Sequence, residues 1–155
     1  MTTKTLSRRL LQTSVILVIT LGFASCTMMG HYLKHGFVKA PAPSEFGLGP
    51  RASFGGAFTA TIEPEAPLKV GKLQTVHVRI TNAAGEPVGG ARITIDGGMP
   101  QHGHGLPTRP RVTGTDGDGM YTIEGLRFNM GGWWELRFGI ASAGATDSVT
   151  FNVKL

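Results

Sequence analysis

The chain has 155 residues, room for one domain and an N-terminal segment, with 15 Lys and Arg against 10 Asp and Glu. Three of the basic side chains, Lys4, Arg8 and Arg9, precede residue 26, where there is no acid, so the remainder holds 12 basic against 10 acidic residues. No later segment interleaves a dense Lys/Arg run with aromatics, which excludes nucleic acid as the expected partner, and a single cysteine excludes an internal disulfide.

The N-terminus reads as an export signal. After the basic start, Leu10 to Leu21 is mostly apolar, and Phe23-Ala24-Ser25-Cys26 follows. This length and these flanks predict a signal peptide over residues 1–25, not a spanning helix. Cys26, directly after the small pair Ala24-Ser25, resembles the cysteine of a bacterial lipobox, which is lipidated and becomes the first mature residue. Phe23 stands where such signals usually carry Leu. The alternatives are ordinary cleavage near Ala24 or an uncleaved anchor. The lipobox reading implies a lipid-anchored protein of the bacterial cell envelope, facing the periplasm. Thr27 in place of Asp favours the outer membrane by analogy.

Residues 26–52 contain Pro41, Pro43 and Pro50 with Gly30, Gly36, Gly47 and Gly49 between them. No period of 2 or 3.6 persists, so an irregular, flexible tether is expected. Met28, Met29, His31 and His35 at its start are read as solvated tether residues near the lipid headgroups, with a second soft-metal patch as the alternative.

From residue 53 the pattern alternates. Phe58, Ala60 and Ile62 alternate with Thr59, Thr61 and Glu63; Val76, Val78 and Ile80 with His77, Arg79 and Thr81; Ala91, Ile93 and Ile95 with Arg92, Thr94 and Asp96. Further strands are expected at Arg111–Thr115, Met120–Glu124, Trp133–Ile140 and Ser148–Lys154. Glu63-Pro64, Asn82-Ala83-Ala84-Gly85, Asp116-Gly117-Asp118-Gly119 and Ala143-Gly144 supply the turns. No segment of residues 53–155 has convincing amphipathic helix periodicity. About seven short strands over about 100 residues predict an all-β, Ig-like antiparallel sandwich over residues 53–155. Trp134 is expected in the core. Trp133 faces the other way by parity, either exposed or covered by the long loop.

That loop is where the chemistry concentrates. Gly98-Met99-Pro100-Gln101-His102-Gly103-His104-Gly105-Leu106-Pro107 places one Met and two His between two strands, in a run too rich in Gly and Pro for regular structure. Downstream, Phe128-Asn129-Met130-Gly131-Gly132-Trp133-Trp134 offers a second Met. Met99, His102, His104 and Met130 form a candidate metal site, with Trp133 or Trp134 shielding it. Thioethers suit Cu(I) and imidazoles accept either copper oxidation state. Zinc, with Asp96 as an oxygen ligand, is the weaker alternative. The competing reading is a rigid turn whose imidazoles bond backbone carbonyls, with Met130, which shares the parity of Leu126 and Phe128, filling the core.

These motifs, together with Asp96-Gly97-Gly98-Met99-Pro100, Leu106-Pro107-Thr108 and Asp118-Gly119-Met120-Tyr121, resemble the YtkA-like family, related in style to FixH-type domains. The resemblance runs from Ala57 to Phe138. It implies an exported Ig-like β-sandwich, often tethered to a membrane, with suggested links to copper handling or cytochrome oxidase assembly. It implies no enzymatic activity.

Other motifs carry little. Asp116-Gly117-Asp118-Gly119 lacks the later acidic positions of a calcium loop and reads as a hairpin turn. No nucleophile elbow or phosphate-binding ending is present. His77 reads as a solvated surface residue. The expected function is therefore a membrane-tethered envelope binding module for copper, partnered by the membrane through its lipid anchor and by a copper-handling or oxidase-assembly protein. The alternative is a metal-free structural or interaction domain of an envelope complex.

Overall fold

A computed structural model of the protein describes residues 38–155 apart from Ala143. The signal segment, Cys26 and the Met28–His35 patch lie outside the described residues.

Among the described residues nine strands form two antiparallel sheets. They are β1 (Arg51–Ala52), β2 (Phe58–Pro64), β3 (Leu73–Asn82), β4 (Arg92–Met99), β5 (His104–Gly105), β6 (Arg111–Thr115), β7 (Met120–Arg127), β8 (Trp133–Ser142) and β9 (Ala145–Lys154). One sheet has the order β1-β2-β3-β7-β6 and the other β5-β4-β8-β9. The fold is the expected all-β sandwich. Among the described residues there is no α-helix, only a 3-10 turn at Pro43–Glu45. The two strands beyond the expected seven, β1 and β5, have two residues each and are too short to show alternation.

The alternating apolar residues meet between the sheets. Ile62, Val78, Ile80 and Ile123 from one sheet face Trp134, Leu136, Phe138 and Phe151 from the other, all at most 3% exposed. Burying such side chains is the main source of stability in a domain without disulfides. Phe138 and Phe151 meet edge to face, with ring centres 5.8 Å apart. The Tyr121 hydroxyl donates to the Val88 carbonyl and accepts the Ala91 N–H, fastening the β3–β4 connection.

The alternation breaks once inside β7. Gln74 pairs with Leu126 but Val76 with Ile123, so Glu124 and Gly125 together oppose Thr75. Gly125 has φ of 84°, the conformation that opens such a bulge. The extra residue resets the parity, and both Ile123 and Leu126 reach the core.

The compact unit starts at Lys39, earlier than residue 53. Phe46 bridges Asn152 in parallel, the Leu48 carbonyl accepts the Ile62 N–H, and the Phe54 N–H donates to the Ser148 carbonyl. This stretch, expected as tether, runs along β9 and β2 and closes one side of the sandwich. It also changes the setting of Trp133. That residue faces away from the core by parity, yet it is only 7% exposed. Its indole N–H donates to Asn152 Oδ1 at 3.0 Å, and the Asn152 amide donates to the Glu45 carbonyl at 3.2 Å.

His77 is bonded, not merely solvated. Its Nδ1 lies 3.3 Å from Thr122 Oγ1 and its Nε2 3.4 Å from Glu65 Oε1. The Asp116 carboxylate accepts the N–H groups of Asp118 and Met120, which makes the Asp-Gly-Asp-Gly run a hairpin turn between β6 and β7.

Candidate functional site

Strand β4 does not stop at Asp96. It continues through Gly97, Gly98 and Met99 into the segment expected to be irregular. Close approach explains this. A β-carbon on Gly97 would lie 2.6 Å from the Glu135 carbonyl oxygen, and one on Gly98 2.8 Å from that of His104. The missing side chains admit β8 on one side and β5 on the other.

Strand β5 folds straight back on β4, with Met99 opposite His104 and Gly98 opposite Gly105. The intervening turn is closed by the His102 and Gly103 N–H groups, which donate to the Met99 carbonyl at 3.0 and 2.9 Å. The Leu106 N–H adds a bond to the Gly97 carbonyl at 3.0 Å. The Met/His run is thus a tight hairpin.

Directly opposed residues of an antiparallel pair share a face. Met99 and His104 therefore both lie on the core side. Met99 is 2% exposed. Its methyl packs on Gly132, where a β-carbon would come within 2.8 Å of it. His104 sits at the exposed rim, and its ring meets the Trp134 indole edge to face at 5.9 Å between centres. The exposed His102 ring lies 5.8 Å from that of His104, tilted by 34°. An imidazole bound through nitrogen at about 2.0 Å holds its ring centre about 3.2 Å from the ion. Two such rings on one ion have centres up to about 6.4 Å apart. The observed separation lies within that span.

Met130 lies in the turn after β7. It is 37% exposed, so it is not the core-filling methionine; Met99 is. Its carbonyl accepts the Trp134 indole N–H at 3.0 Å. Trp134 thus joins the two motif segments, with His104 against its ring and Met130 on its nitrogen. It is Trp134 that lies against His104, while Trp133 is turned to the other face and bonded to Asn152.

A pocket of about 340 Å³ beside the hairpin is lined by His104, Met99, Asp96, Glu135 and Arg137. Arg137 donates to Asp96 at 2.9 Å and to Glu135 at 3.1 Å. The hydrogen bond from Arg137, helped by the Gly97 N–H, holds the Asp96 carboxyl below the usual carboxylate range. In turn Asp96 raises the Arg137 guanidinium above its ordinary value. Both carboxylates near His104 are already occupied by a cation. Among the described residues no three His, Cys, Asp or Glu side chains form a metal-binding group. The accessible soft donors at this end are the His102 and His104 imidazoles and the Met130 thioether. Sequence alternation places Glu135 and Arg137 on one face, but their link to Asp96 needs the β4–β8 register and was not foreseen.

The protein is a two-sheet antiparallel sandwich with a Met/His hairpin at one end. It belongs to the YtkA-like family, whose model matches residues 56–139 and so includes both motif segments. No curated protein matches the chain. Among solved structures it is similar to the ZirS C-terminal domain, with 16% sequence identity and a TM-score of 0.39, over 77% of this chain and 84% of that one.

Proposed function

We propose that the domain is a copper-binding or copper-delivery module of the bacterial envelope, tethered to the membrane through Cys26. The observation that carries the reading is the hairpin. Its two exposed imidazole rings stand 5.8 Å apart, and Met99 is the strand partner of one of them, which supports the reading. Met130, on the second segment, is the accessible thioether. His102 and His104 would hold the ion, with Met99 or Met130 supplying sulfur. Such a mixed donor set suits Cu(I) better than zinc, whose usual third and fourth ligands here would be carboxylates held by Arg137. Affinity falls on acidification, because a protonated imidazole cannot ligate.

One observation favours the second reading, a metal-free interaction domain. Met99 is sealed in the core and packs well there without any ion. Titration of the protein with Cu(I) and Cu(II), beside a His102→Ala/His104→Ala variant, separates the two. Stoichiometric binding that the variant loses supports the copper module. Equal weak uptake by both proteins leaves the interaction domain as the better account.

A further inference from the structure

The end of the sandwich where β7 and β9 finish carries an apolar surface. A cavity of about 390 Å³ there is lined by Phe46, Leu48, Pro67, Leu68, Val153 and Leu155, among others. Leu155 pairs with Gly132 through two backbone bonds of 2.9 and 3.1 Å, which brings the Met130 turn beside it. Val70 bridges Phe128, two residues before Met130. Leu73 opposes Arg127 at the start of β3. Leu73, Val70 and Met130 are 68%, 42% and 37% exposed. Three of the large apolar side chains that the domain leaves in water thus lie at the end of the sandwich that carries this cavity.

Cations rim the same surface. Lys69 and Lys72 flank Val70, Arg127 stands beside Leu73, and Lys154 lines the cavity. Among the described residues none of these four forms an ion pair. The nearby Glu65 is paired with His77, and the Glu45 carboxylate accepts the Ala42 N–H. Apolar side chains ringed by unneutralised Lys and Arg complement the headgroup layer of an anionic bilayer.

The described chain first meets β9 toward this end. Phe46 bridges Asn152, and the chain then runs toward Ser148 at the opposite end. Upstream lie Cys26 and the apolar run Leu10 to Leu21. Anchoring of the same chain at Cys26 would make a weak docking contact an intramolecular event.

We propose that this end of the sandwich docks on the surface of an anionic membrane, with Val70, Leu73 and Met130 at the headgroups and Lys69, Lys72, Arg127 and Lys154 on the lipid phosphates. The domain then lies down on the bilayer instead of standing off it, and the Met/His hairpin opens near the lipid surface. The inference rests on the membrane-anchor reading of the N-terminus but not on copper.

The test uses the full chain carrying Cys26→Ser, which leaves no native thiol. A fluorophore is attached at Leu73→Cys or, on the opposite end, at Phe54→Cys; Phe54 is 98% exposed. The vesicles contain phosphatidylglycerol, phosphatidylethanolamine and a nitroxide-labelled lipid. We expect the chain to pellet with the vesicles, the Leu73 label to be quenched and the Phe54 label to be spared. Lys69→Glu/Lys72→Glu, or high salt, should bring the Leu73 quenching down toward the Phe54 level. Pelleting with the two labels quenched alike, or with neither quenched, overturns the docking; the apolar end then belongs to a protein partner. A chain that does not pellet overturns the docking; the lipid anchor, which this variant lacks, is tested separately by membrane fractionation and fatty-acid labelling of the parent chain.

Discussion

Met99 and His104 stand opposite each other across the β4–β5 pair, the thioether turned into the core and the imidazole laid on the rim against Trp134. Two glycines allow this. Gly97 and Gly98 let the neighbouring backbones approach closer than any side chain permits. A turn of Met and His residues is thereby joined to Trp134, the largest of the fully buried side chains.

The glycines give the first prediction. Gly98→Ala places a β-carbon 2.8 Å from the His104 carbonyl oxygen, so β5 must move. Overpacking of this kind costs about 1–3 kcal/mol. A denaturant melt should show that loss, and Cu(I) affinity should fall with it, because His104 moves away from Met99. Unchanged affinity in a stable Gly98→Ala protein would show that the hairpin geometry does not matter to the site.

The methionines separate by burial. Met99→Leu nearly conserves volume, so its stability cost should stay below about 1.5 kcal/mol. Met130→Leu, on the surface, should change stability by less than about 0.5 kcal/mol. Whichever variant weakens Cu(I) binding identifies the sulfur ligand. If neither does, sulfur takes no part.

The adjacent tryptophans should both matter, for different reasons. Trp134→Ala removes a fully buried ring and should cost about 3–5 kcal/mol. Trp133→Phe keeps an aromatic body but leaves the buried Asn152 Oδ1 without its donor, at about 1–3 kcal/mol. An Asn152→Ala/Trp133→Phe double variant should cost less than the two single changes added together, as expected for coupled residues.

Acid sensitivity should centre on Asp147. Its carboxylate accepts the Ser53 hydroxyl at 2.6 Å and the N–H groups of Gly55 and Ala57, which holds it down to about 2 from an ordinary 3.8. The folded-state value is depressed, so this contribution is fully present above about pH 4. It is lost as pH falls toward 2, where the folded carboxyl also takes its proton. Asp147→Asn should lose stability at neutral pH and show a flatter acid limb in melts between pH 2 and 4. Parallel acid limbs for parent and variant would contradict this.

The long strands were legible because one face of each is buried. Phe58 to Glu63 and Trp133 to Ile140 keep a strict period of two over enough residues to declare it. β1 and β5 were not legible. Two residues cannot alternate, and both lie in Gly/Pro stretches that propensity assigns to loops. Their pairing comes from tertiary contact, Arg51 with Ala60 and Met99 with His104. The Leu126 parity reset is visible only as a glycine at residue 125. At the site, the residue types could be read but not their depths. Met130 shares the parity of Leu126 and Phe128, yet the strand ends at Arg127 and the turn carries Met130 out to water. Met99 looked like a loop residue and is core.

The most direct test of the account is X-ray absorption at the copper edge of the Cu(I)-loaded protein. A site made by the hairpin predicts nitrogen scatterers near about 2.0 Å and a sulfur scatterer near about 2.3 Å, ordinary distances for these ligands on ions of this size. The nitrogen shell should collapse in His102→Ala/His104→Ala. A spectrum with no sulfur shell, or one that the histidine substitutions leave unchanged, would contradict a Met/His copper site in this hairpin.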